Sequence, residues 1–212
     1  MKAVCPRCGG PVHAPSVWSS AWWCDVHAVI DPLRLASQPS QMALNGLVKR
    51  SKVPVWIPWP LPHGWLVTGF CGAGDERTGS RGTAVALSGP NPVGGPADLL
   101  VIAEEPGVGL GAGLAGLKGP DPGAGFARGA RQATVRVGSH EACLWLVAPG
   151  DGAGPDGCAA FAGEVGGGWV WIVFWPQSAG VMLVESLALR DLRDAGPQWD
   201  LPFGALSPRL PA

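Results

Sequence analysis

Four residues near the start of the chain have the types and spacing to hold a metal ion. Cys5 and Cys8 flank Pro6-Arg7, and Cys24 and His27 flank Asp25-Val26, giving C-x2-C-x15-C-x2-H. Two intervening residues let a tight turn aim both members of a pair at one ion. Two such pairs at this distance match structural zinc sites of ribbon-like modules. Three thiolates and one neutral imidazole around Zn²⁺ fill all four positions and leave none open for a substrate. The site is therefore read as structural. His13 is the alternative fourth ligand, and His27 would then lie on the surface.

Gly9-Gly10 permits the turn after the second ligand. A segment of this size cannot bury a core of its own, so a metal must stand in for one. Trp18, Trp22 and Trp23 are expected to cover the site. Residues 1–35 are read as a small zinc-ribbon-like module, 36–53 as a short helix and linker, and 54–212 as a larger Trp/Pro-rich domain. With the metal stabilising one part and an apolar core the other, Cys24→Ser is expected to unfold 1–35 alone.

A second candidate is the glycine-rich stretch at 107–116, where Gly107, Gly109, Gly111 and Gly113 follow an apolar run. Glycines after a strand can cradle a phosphate. A plain turn is the competing reading, because Pro120 stops any following helix early. Lys118 stands between Leu117 and Gly119, so the G-x-x-x-x-G-K-[ST] pattern is absent. Other catalytic motifs also fail. His140-Glu141 lacks the second histidine of H-E-x-x-H, Ser178 has Pro176 where G-x-S-x-G needs its first glycine, and Asp151 and Asp156 do not fit a calcium loop. Cys71, Cys143 and Cys158 read as small buried hydrophobes. Glu164 is either a buried acid or a wet strand start.

The supporting elements follow from hydrophobic pattern. Ser40 before Met42, Leu44, Leu47 and Val48 predicts a short helix with Ser40 as its N-cap and Lys49 and Arg50 at its C-terminal end. The segment at 53–65 carries four prolines and three tryptophans, which forbids a helix and a central strand. Short apolar runs then recur at 65–70, 83–87, 99–103, 133–137, 144–148, 169–175 and 181–189. In the sixth, Trp169, Trp171, Val173 and Trp175 face one way and Val170, Ile172 and Phe174 the other, so this strand should be covered on both sides. The fold class is α+β: the small module followed by a mostly antiparallel, curved β-sheet with few short helices. Long loops are expected at 119–129 and 149–157. The proline-rich segment is expected to lie across the tryptophan face of the 169–175 strand, burying Trp59 and Trp171.

The 212 residues are 47% hydrophobic and only 15% charged, with 33 Gly, 22 Pro and 11 Trp, and the formal net charge is −1. That apolar content argues against wholesale disorder. Residues 1–52 hold six Lys/Arg against Asp25 and Asp31, a formal +4, too few for strong binding to nucleic acid. The longest apolar run, 169–175, is too short to span a bilayer, and no secretory h-region follows Met1. A cytoplasmic location is expected, where cysteines serve as metal ligands or free thiols.

In the opening CPRCGG, the WWCDVH block, the VPVWIPWPLPHGW segment and the closing LRDLRDAG and GALSPR, the chain resembles an uncharacterised actinobacterial family of small proteins. The family is a domain of unknown function, and the likeness spans nearly the whole length. It implies that zinc module and sheet domain travel together, and that glycine follows the histidine where Ala28 stands here.

The functional expectation is a cytoplasmic protein with a structural zinc ion and a protein-binding or regulatory role. One alternative is a small transferase or hydrolase handling phosphate or acyl-phosphate groups at the glycine-rich stretch. The other is weak nucleic-acid binding through the module.

Overall fold

The computed structural model describes residues 3–147, 157–185, 187–194 and 200–211. Among these the N-terminal part contributes β1 (Ala3–Val4), β2 (Trp22–Cys24), β3 (Ala28–Ile30) and β4 (Leu33–Arg34). Then come α1 (Gln41–Arg50), β5 (Trp56–Pro58), β6 (Leu66–Asp75), β7 (Gly79–Pro90), β8 (Pro96–Glu104) and α2 (Leu110–Leu114). The last third holds β9 (Ala133–Val137), β10 (His140–Val147), β11 (Ala159–Val165), β12 (Gly168–Trp175) and β13 (Ala188–Asp191). The expected loop at 149–157 lies, apart from Gly157, outside the described residues.

Eleven strands form one open sheet in the order β1-β4-β6-β7-β8-β12-β11-β10-β9-β13-β5. Two meanders, β6-β7-β8 and β9-β10-β11-β12, meet edge to edge where β8 pairs with β12. Every pairing is antiparallel except β13 with β9. The far edge curls back, so that β5 packs against β7 and β8. Pro58 sits at that outermost strand, where its missing N–H leaves no gap in a ladder. β1 and β4 are also rungs of this sheet, through Leu33 opposite Ala73 and Arg34 opposite Gly72. The N-terminal module therefore shares backbone hydrogen bonding with the rest of the chain.

Both sheet faces are covered, as the two-sided pattern of β12 requires. Inside the curl, Val85, Leu87, Leu99, Val101, Ile172 and Phe174 pack with Ile57 of β5 and with Leu44 and Leu47 of α1. Outside it, Ala84, Ile102, Trp171 and Trp175 pack with Leu110 and Ala112 of α2 and with Leu210 of the tail. The helix α1 begins as predicted: Ser40 Oγ accepts from the Ala43 N–H at 3.2 Å, and Lys49 and Arg50 occupy the last turn.

Three expectations are corrected. The proline-rich segment covers the Ile172 face of β12 and not the tryptophan face: Trp56 and Trp65 join the inner cluster. Trp171 is fully buried on the other side, and Trp59 only half-buried. The run at 181–189 is not one strand. A 3-10 turn over Gln177–Leu183 precedes the short β13. Conversely, β11 carries no β-branched residue before Val165, so its Ala-Ala-Phe-Ala-Gly-Glu-Val sequence gives little strand signal. Its pairing on both sides, with β10 and β12, makes the strand.

Candidate metal centre

The first ligand pair sits on a turn after β1. Gly9 N–H donates to the Cys5 carbonyl and Cys5 N–H to the Gly10 carbonyl, both at 2.8 Å, which closes a knuckle around Pro6-Arg7. The second pair sits where the β2–β3 hairpin reverses, between Cys24 and its strand partner Ala28. Ala28 has φ 58° and is the sole non-glycine residue with positive φ among those described. Holding an alanine there costs about 1 kcal/mol relative to glycine.

These turns bring four ligand atoms, from Cys5, Cys8, Cys24 and His27, within 4.8 Å of one another. Cys5 Sγ lies 3.5 Å and Cys24 Sγ 3.8 Å from His27 Nδ1, and Cys8 Sγ lies 3.8 Å from Cys24 Sγ. His13 is not part of this group; its exposed ring meets Asp25 Oδ1 at 3.1 Å. Cys5 and Cys24 are buried, with Ile30, Val12 and Trp22 packed around them. Trp18 and Trp23, expected to cover the site, are exposed instead. Burial pushes the Cys5 thiol up. At Cys24 burial acts in the same sense, but the N–H groups of Val26 and His27 outweigh it and the thiol is lowered. Cys5 thus holds a proton that a metal must displace, so binding releases protons and weakens as pH falls.

What holds this centre against the sheet is the glycine-rich stretch. A Cβ on Gly109 would lie 2.8 Å from Arg7 Cγ, and one on Gly113 would lie 2.2 Å from the Pro6 carbonyl. Only glycine lets α2 approach the knuckle so closely. Arg7, between the two ligands, donates through Nη2 to the Gly107 carbonyl. On its other side α2 rests on Trp171: a Cβ on Gly111 would lie 2.3 Å from Trp171 Cδ1. These glycines are explained by packing on both flanks. Arg81 adds a charged tie, reaching Asp31 at 3.0 Å and Glu105 at 2.7 Å. Sequence reading missed these roles of Arg7, Asp31 and Arg81; a cation inside the knuckle was the one visible signal.

The amides at the start of α2 are occupied from within the chain. Glu104 Oε2 accepts from Leu110 N–H at 2.6 Å, and Oε1 from Gly111 N–H at 3.1 Å. Asp121 Oδ1 accepts from Gly107 N–H at 2.8 Å and from Trp169 Nε1 at 2.7 Å. Burial pushes the Glu104 carboxyl up to about 8 against the pull of those two amides, and Asp121 adds to the rise. The buried Trp171 indole N–H favours the charged form, though it falls short of hydrogen-bond geometry. A carboxyl whose folded pKa lies above its unfolded value binds protons more tightly when folded. Its contribution to stability is therefore greatest below about pH 4.5 and is lost as pH rises towards about 8. Glu104→Gln is expected to remove that decline, read as the difference in melting temperature between the two proteins across this range. Parallel curves would contradict it.

Glu164, Cys143 and Cys158 do not join a shared site. Glu164 is exposed on β11, and all six cysteines are free of disulfides. Residues 1–210 match the family model described as a family of unknown function, DUF6758. The chain belongs to this family. No curated protein and no solved structure matches it. The family match spans module and sheet together, in keeping with a centre whose knuckle is cradled by α2. No helix among the described residues is long and apolar enough to cross a membrane.

Proposed function

We propose that Cys5, Cys8, Cys24 and His27 hold one structural Zn²⁺, and that the module so stabilised serves as a binding surface for another protein in the cytoplasm. The observation that carries the metal is the convergence of three sulfurs and one imidazole nitrogen within 4.8 Å. Thiolate-rich tetrahedral sets suit zinc and not magnesium or calcium, and four protein ligands leave no position for a substrate. Zinc here would fix the turn that presents Arg7 to α2.

The binding role is supported by what the module leaves uncovered. Val17 and Trp18 are 92% and 93% exposed, and Trp23, Val26 and Val29 are exposed on the same module. Apolar side chains gathered this way mark interaction surfaces. Trp18→Ser is expected to leave zinc content and melting temperature unchanged while losing a partner that the wild type retains in a pull-down. An unchanged set of partners would overturn this role.

The phosphate-handling alternative at Gly107, Gly109, Gly111 and Gly113 has less support, because Glu104 and Asp121 occupy three of its amides. Nucleic-acid binding likewise has little to draw on: Arg7 is turned onto Gly107, and Arg34 faces Glu76.

A further inference from the structure

Away from the metal centre, α1 stands off the β6–β7 hairpin and leaves a cleft of about 570 Å³. Its charged lining is Arg34 from β4 and Arg50 from the last turn of α1, and no acidic side chain lines it among the described residues. Cys71 also borders it, but burial pushes that thiol up to about 12, so it stays neutral. Arg50 folds back along α1 over Gly46, where an added Cβ would lie 3.5 Å from Nη1. Its guanidinium has no hydrogen-bond or ion-pair partner among the described residues. Arg34 is more constrained: its side chain is mostly buried, and Nη2 lies 3.6 Å from the exposed Glu76 carboxylate.

The floor adds a hydroxyl group. Ser80 is only 3% exposed, lines the cleft, and its hydroxyl has no partner among the described residues. It lies beside Gly72, where a Cβ would come within 2.9 Å of both Ser80 Oγ and Leu47 Cδ1. That hydroxyl still opens onto the cleft, where it can donate to a bound group. The apolar walls are Leu47 and Phe70, with Met42 exposed at the rim.

We propose that this cleft binds a small organic anion. Its phosphate or carboxylate head would take the Arg50 and Arg34 guanidinium groups and the Ser80 hydroxyl, and its apolar body would lie on Leu47 and Phe70. Two cations and a hydroxyl donor make an anion the matching charge, and guanidinium suits the planar or multidentate oxygens of either head group. This site is independent of the zinc reading.

The test titrates the full-length, zinc-supplied chain at constant ionic strength with phenyl phosphate, with benzoate and with neutral benzyl alcohol, following backbone amide NMR signals. At least one anion should give saturable shifts at Gly46, Gly72 and Ser80, and benzyl alcohol should not. The tighter of the two anions identifies the head group. Arg50→Gln, at an exposed position that leaves the core untouched, should weaken that binding about tenfold or more. Ser80→Ala should weaken it less, with the fold intact by the same spectra. The proposal is overturned if neither anion saturates these signals, or if Arg50→Gln binds as tightly as the wild type.

Discussion

Trp171→Ala is expected to destabilise the chain by about 3–5 kcal/mol, measured from denaturant midpoints. Trp171 is fully buried on β12, the strand on which the two meanders meet. Its ring fills the space between that strand and α2, and α2 has a glycine where the two touch. Truncation leaves a cavity that α2 cannot fill, because Arg7 and the Gly113–Pro6 contact hold its opposite side. A loss under about 1 kcal/mol would mean that α2 collapses onto the strand, and the account of the glycine-rich stretch as a rigid spacer would be wrong.

Cys24→Ser is expected to abolish metal binding and to lower the melting temperature of the whole chain, not of residues 1–35 alone. Structural zinc contributes about 10–16 kcal/mol of apparent binding free energy in isolated finger peptides. Here the folded turn also keeps β4 paired to β6 and Arg7 docked on Gly107. Hydrogen exchange at Gly72 and Ala73, the residues of β6 opposite β4, should speed up in the variant. Two separate melting transitions, with the second at the wild-type position, would restore the picture of independent units.

The Cys3His cluster was the most legible part of the sequence because ligand pairs are local. Two residues between ligands fix the geometry whatever the rest of the chain does. The C-x2-H spacing pointed to His27 with His13 as its rival, and the hairpin reversing at Ala28 brings His27, not His13, to the three sulfurs. The long strands were legible from their Val, Ile and Trp content, and β12 declared its central position by being apolar on both faces. What β12 could not declare was which element covers which face. That is set by volume: over the Trp171 ring there is room only for backbone without a side chain, and α2 supplies it through Gly111. The glycine-rich stretch drew a phosphate-loop reading because close backbone approach to a ligand and close approach to a tryptophan demand the same residue. The amides at the start of α2 are met instead by the carboxyl oxygens of Glu104, six residues before Leu110 in sequence. The cleft under α1 left no trace, since Arg34, Arg50 and Ser80 come from three elements far apart in the chain.

Native mass spectrometry of the freshly purified chain, kept reduced and free of chelator, counts the ions held by the Cys3His cluster. One zinc ion per chain is expected in the wild type and none in Cys24→Ser. A wild-type chain that remains folded with no bound zinc, even after zinc is supplied to the reduced thiols, would contradict it.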